Sequence, residues 1–219
     1  MQKNKTPSDL VTELRETYKN LAPAIAGRLA EFSALWERGS DLEVFREMCF
    51  CVCTPQTKAH RGWSAVCELF DRQLLAGGGG PQIAEVLREA GVRFHNHKAQ
   101  YILKNRQAFY PGTKERLRGF LVLEDPQFSL CEAVAGWGLK EAAHFLRNIG
   151  FGDGACILDR HILRQLERYR VIPGIPKVLS KTVYQEIDAK MKAFAKTWGF
   201  SVSALDLVFW YEETGEIFK

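Results

Sequence analysis

Apolar residues recur every three or four positions along most of this chain and almost nowhere alternate, a pattern that restricts it to helices packed on helices. Residues 8 to 38 carry Leu10, Leu14, Leu21, Ile25, Leu29, Phe32 and Trp36 at helical spacing, and Pro23 predicts a break there into two helices. Ser40 or Asp41 can cap a helix through Val44, Phe45 and Met48. Thr54-Pro55 has the cap-then-proline order of another helix start. The strongest breaker is Gly77 to Pro81; no GxxxxGK[ST] follows it and no strand precedes it, so a flexible connection is expected rather than a phosphate cradle. Further helices are predicted over PQIAEVLREAG, 95 to 109, 114 to 123, 127 to 135, DRHILRQLERY, 180 to 197 and 203 to 212. The fold class is all-α, with about ten to twelve helices.

A chain of 219 residues can bury a substantial core in one domain or two lobes, and 46% hydrophobic with 26% charged residues is an ordinary globular balance. A net charge of +4 suits a polyanionic partner without requiring one. The start, MQKNKTPSDLVTELRETYKN, is charged and lacks the apolar segment of a signal or transit peptide. No apolar run approaches the ~20 residues of a membrane span, so a cytoplasmic, nucleoid-associated protein with no membrane partner is expected. The six cysteines contain no C-x-x-C pair and read as reduced, mostly buried thiols. Cys49, Cys51 and Cys53 lie two apart and do not converge on a helix, which favours core packing over a metal site. His95, His97, His144 and His161 have no standard zinc spacing. No metal or other cofactor is expected.

From 98 to 118 six Lys/Arg face one Glu, with Tyr101, Phe109 and Tyr110 between them. A solvated helix face is the favoured reading, and a phosphate-backbone footprint the alternative.

The richest stretch runs from 130 to 150. LCEAVA forms a short helix, Gly136-Trp137-Gly138 a tight hairpin, and LKEAAHFLRNIG a second helix. Glycines suit positive φ or a close backbone approach, and their N–H groups beside a helix start form a site for a phosphodiester. Ala142, Phe145, Leu146 and Ile149 make the apolar stripe, while Lys140, His144 and Arg147 fall on another face. A lysine at a helix start sits where cations are disfavoured. Downstream, the glycine-rich loop IGFGDGACIL ends at Asp159, an N-cap by position; capping and catalysis are compatible there.

The segment AGWGLK from Ala135 to Lys140, the loop GFGDG and the block LDRH ending at His161 resemble the helix-hairpin-helix DNA glycosylase superfamily, with 19 positions from lysine to aspartate. Ala135 stands where that superfamily commonly has proline before the first hairpin glycine. With CTPQTKA, VRFHNHKAQYI, ILDRHIL and the lysine at 219, residues 45 to 219 look most like the type 2 8-oxoguanine DNA glycosylase/AP lyases. The cysteines that hold an iron–sulfur loop in the endonuclease III branch are missing here, since none follows Cys156.

The resemblance implies a single unit over 1–219 of two helical lobes with the active site in the cleft between them. Lys140 would be the nucleophile at C1′, forming a Schiff base followed by β-elimination, and Asp159 would stabilise the cationic sugar. Trp210, nine residues before Lys219, and Phe94 would flank the base, with the Lys219 end supplying an acceptor for its N7–H. Gln56 would fill the gap left in the duplex, and Gly136, Gly138, His144, Arg147 and His161 would contact DNA. The implied partner is double-stranded DNA containing 8-oxoguanine or abasic sites, bound by a monomer. Two other readings are a non-catalytic helix-hairpin-helix DNA-binding module and a related glycosylase for another damaged base. The presence of both Lys140 and Asp159 argues against the first.

Overall fold

The computed structural model describes residues 6–219; the charged first residues, 1 to 5, lie outside them. The described residues form twelve α-helices and one 3-10 turn. In order these are α1 (Pro7–Arg38), α2 (Asp41–Cys53), α3 (Ala59–Asp71), α4 (Leu74–Gly77), α5 (Gly80–Glu89), α6 (His95–Phe109), α7 (Thr113–Leu121), α8 (Pro126–Ala133), α9 (Leu139–Asn148), the 3-10 turn Gly152–Gly154, α10 (Arg160–Arg168), α11 (Lys181–Trp198) and α12 (Val202–Thr214).

Three local expectations are corrected. The break at Pro23 does not occur: α1 is continuous, and Pro23 lies exposed on its outer side. A proline frees one carbonyl of the helix ladder, and on a solvent face water satisfies it. Leu14, Ile25 and Phe32, all buried, keep the two halves of α1 in line. Thr54-Pro55 ends a helix instead of starting one. Proline has no N–H to continue the ladder, so α2 stops at Cys53, and Thr54 caps it by donating from Oγ1 to the Cys51 carbonyl at 3.0 Å. Gly77–Pro81 is less of a break than expected, because Gly77 closes α4 and Gly80 opens α5. Arg106 Nη1 ties the junction down by donating to the carbonyls of Leu74 at 3.3 Å and Gly78 at 2.9 Å. The cap of α2 is Ser40, whose hydroxyl accepts from Glu43 N at 3.2 Å.

The basic stretch from 98 to 118 is a solvated face only in part: Lys104, Arg116 and Arg118 are exposed, while Lys98 is buried. Four of its cations are spent on main-chain carbonyls: Lys98 on Cys53 and Pro55, Arg106 on α4, Lys114 on Gly39, and Arg116 on Ala108. Carbonyls left over at helix ends need donors, and these side chains supply them.

Two apolar cores organise the helices. The first packs Phe45, Met48 and Phe50 of α2 against Leu69, Ile83, Leu87, Ile102 and Phe145. Cys49, Cys51 and Cys53 are buried in it as free thiols, as the sequence suggested. The second packs Leu14 and Ile25 of α1 against Leu166, Met191, Leu205 and Phe209. Each such side chain contributes roughly 1.5–3 kcal/mol when buried. Helix α9 lies between the cores with every residue from 142 to 148 buried. Its predicted polar face is therefore interior, and this placement determines what its side chains do. No helix among the described residues is long and apolar enough to cross a membrane.

Candidate active site

The hairpin between α8 and α9 forms where expected. Gly136 has φ of +85°, and a Cβ there would sit 2.4 Å from the Tyr101 ring, so both backbone conformation and packing demand glycine. Trp137 is buried and packs on Phe145 with ring centroids 5.0 Å apart. Two of the hairpin amides expected to be open to a phosphate already have acceptors within the protein. Trp137 N–H donates to the Val134 carbonyl, and Gly138 N–H donates to Glu141 Oε2 at 3.1 Å. Glu141 thus caps α9 by reaching back to the residue before it, which leaves Gly138 as a turn residue whose amide is already occupied.

Lys140 occupies the first turn of α9 with its side chain 23% exposed. Its Nζ donates to Thr54 Oγ1 at 3.1 Å and lies 3.6 Å from Glu141 Oε1. The Thr54 proton is committed to Cys51, so toward the lysine this hydroxyl acts as an acceptor. Thr54 and Glu141 are the side chains that the sequence reading missed; the glycine-x-x-glutamate spacing from Gly138 to Glu141 was the available signal for the second.

Asp159 caps α10 as expected, with Oδ1 accepting from His161 N at 2.8 Å and Ile162 N at 2.9 Å. Oδ2 takes no part in those bonds. Asp206 of α12 is buried. Burial pushes its carboxyl up to about 6, its Arg147 partner works in the opposite direction, and the charges of Asp159 and Lys140 both reach it.

Two predicted DNA contacts are corrected. Arg147 is 4% exposed and forms an ion pair with Asp206, so its guanidinium is sequestered from any phosphate. His144 is 5% exposed and sits edge-on to Phe50, with ring centroids 5.5 Å apart. Burial, then the cations Lys140 and Arg147, hold its imidazole well below the usual histidine range. The predicted polar face failed because spacing separates apolar from polar positions but does not say whether the polar side meets water or another buried polar group.

The remaining predicted residues fall in two groups. Gln56 is exposed with φ of +54°, and Phe94 is 51% exposed with φ of +57°. Both left-handed conformations are uncommon for such residues. Their loops are joined, since Arg93 N donates to Thr57 Oγ1 at 3.2 Å, and Lys98 Nζ donates to Pro55 O at 2.8 Å and Thr57 Oγ1 at 3.1 Å. Burial lowers the Lys98 ammonium from its ordinary value. On α12, Trp210 meets His161 edge-on at 5.2 Å, and His161 Nδ1 pairs with Glu213 at 3.1 Å. The Trp210 Nε1 is buried without a partner. Phe94 therefore belongs to the α2–α6 side and Trp210 to the α10–α12 side. Lys219 points inward, its Nζ 2.5 Å from Glu47 Oε2 and 3.9 Å from the Trp63 ring centroid.

A helical protein whose hairpin presents a lysine at the mouth of a buried helix, followed by a glycine loop and a capping aspartate, is of the helix-hairpin-helix glycosylase class. The comparisons narrow this. The model of the Ogg-HhH family, 8-oxoguanine DNA glycosylase, matches residues 25–200, and the chain belongs to that family. An 8-oxoguanine DNA glycosylase/AP lyase of Fusobacterium nucleatum is 34% identical over 223 residues, covering 100% of both chains. The crystal structure of the 8-oxoguanine DNA glycosylase of Thermotoga maritima superposes with a TM-score of 0.86 at 32% identity, covering 98% of this chain and 100% of that one. The Methanocaldococcus jannaschii 8-oxoguanine glycosylase/lyase, solved in complex with a 15mer DNA containing 8-oxoguanine, gives 0.87 at 32% identity, covering 96% and 99%.

Proposed function

We propose that this protein excises 8-oxoguanine from double-stranded DNA and cleaves the resulting abasic site, with Lys140 as nucleophile. The observation that carries the reading is the placement of Lys140: a half-buried amine at the start of α9, directed by the Thr54 acceptor and standing just behind the hairpin. Kinship with glycosylase/lyases along the full chain supports it.

Neutral Nζ attacks C1′ of the flipped nucleotide, and the bond to N9 breaks with its electron pair leaving on the base, which takes up a proton. The C1′–O4′ bond then breaks as one Nζ proton passes to O4′, opening the sugar ring and leaving a protonated Schiff base. Loss of a proton from C2′ then expels the 3′ phosphate by β-elimination. Asp159 Oδ2, unused by the cap, faces positive charge developing on the sugar. Glu141 and Asp206 add negative field around Lys140.

The base is proposed to lie between Phe94 and Trp210, with an acceptor from the Lys219 main chain to its N7–H, while Gln56 enters the gap in the duplex. Gly136 and His161 flank the backbone path. The protein is proposed to act as a monomer in the cytoplasm, on the nucleoid.

Borohydride added during reaction with an 8-oxoguanine duplex tests the nucleophile. A covalent protein–DNA adduct is expected for the wild type and none for Lys140→Gln. DNA binding without any wild-type adduct sinks the lyase assignment, and adduct formation only with a different lesion moves the substrate to another damaged base.

A further inference from the structure

A continuous line of buried polar side chains links α2, α9 and α12 to Lys219. Lys219 Nζ donates to Glu47 Oε2 at 2.5 Å, and Asn148 Nδ2 donates to Glu47 Oε1 at 2.6 Å. Arg147 Nε and Nη2 donate to Asn148 Oδ1 at 3.1 and 3.0 Å, and Arg147 Nη1 donates to Asp206 Oδ2. Glu47 is 1% exposed and Asn148 is fully buried. Both Glu47 oxygens are used, one for each neighbour.

This line changes the role available to Lys219. Its ammonium is turned into the protein, 11% exposed, between the Glu47 carboxylate and the faces of Trp63 and Phe50. That charge is unavailable to a base. The main chain of Lys219 instead lies against the His144 imidazole, one helical turn from Lys140, without closing a full hydrogen bond. The residues just before it are pinned on both sides, since Ile217 packs on the second core and Phe218 on the first.

We infer that Glu47 is a positioning residue for lesion recognition: by holding the Lys219 ammonium inward, it fixes the Lys219 main chain beside His144 as the acceptor for the base. This rests on the proposed reading of Lys219 as part of the base pocket. A buried ion pair is seldom the best way to add stability, because apolar side chains of similar volume often do better. Its advantage is registry, since a carboxylate with two committed partners allows one placement of the lysine.

The test compares two single-turnover rates on the same protein samples, release of 8-oxoguanine and cleavage at a preformed abasic site. Glu47→Gln keeps an acceptor for Asn148 but removes the charge that anchors Lys219. It is expected to lower excision at least roughly tenfold more than abasic-site cleavage, since an ångström-scale misplacement costs rates of that order. Because both rates come from one sample, partial unfolding lowers them together and leaves their ratio unmoved. Lys219→Met is expected to shift the ratio in the same direction, and the double variant to shift it no further than the worse single. Equal losses in Glu47→Gln, or additive shifts in the double variant, overturn the inference. A chain lacking Lys219 separates the two levels. If its ratio falls while that of Glu47→Gln does not, the base-pocket reading stands and the role of Glu47 is refuted; if its ratio holds, the base-pocket reading fails and takes the inference with it.

Discussion

His144 shows how much a single buried side chain can contribute to pH behaviour. Its imidazole is held neutral by burial and by the nearby cations Lys140 and Arg147. The unfolded chain takes up a proton near pH 6.5, whereas the native state does not. Its contribution is therefore fully present above that pH and is lost as pH falls below it, by at most about 1.4 kcal/mol per pH unit. Asp206 works in the opposite sense: its folded value of about 6 lies above the ordinary 3.8, so between those values acid favours the native state through it. Denaturant midpoints measured at pH 7 and pH 5 should show a smaller acid-side loss for His144→Phe than for the wild type. An equal or greater loss would assign the acid sensitivity elsewhere.

At the scale of elements, the hairpin is where sequence and structure agree best. Two glycines around an aromatic residue specify a turn by backbone chemistry alone, and the lysine follows at a fixed offset on the next helix. Gly136→Ala places a methyl group against Tyr101 at positive φ. It should destabilise the protein by about 2 kcal/mol, a melting-temperature loss of roughly 4–8 °C. An unchanged melting curve would mean that the turn relaxes without cost. The Gly112 position, also at positive φ but with only the Arg116 side chain within reach at 3.8 Å, makes a useful contrast. Asp159 was legible for the same reason as the hairpin, since a glycine loop before an apolar helix leaves a short acidic residue one natural place, the cap. Thr54 was assigned to a helix start, and its place beside Lys140 was missed, because a threonine before proline signals a helix start as readily as an end. His144, Arg147 and Glu47 were hidden by a different ambiguity. A polar residue within a helical pattern predicts a face, and only the packing of α2, α9 and α12 reveals that these faces meet one another away from water.

Across the whole molecule, the sequence carried the helix order but not the join between the cores, because that join is made by residues far apart in the chain: Glu47, Arg147, Asn148, Asp206 and Lys219. Helix α1 supplies a second join. From its start to beyond its midpoint it feeds Leu10, Leu14 and Ile25 into one core, while Leu35 and Trp36 near its far end pack on the other. At 32 residues it extends for roughly 48 Å. An unbroken rod with each end embedded in a different core works as a splint, so bringing the two sides together or apart would require bending it. The distortion needed to extrude a base then falls on the duplex, which must bend to the shape of the protein. Small-angle scattering should find the radius of gyration of the protein component nearly the same free and DNA-bound, with the change of shape confined to the nucleic acid.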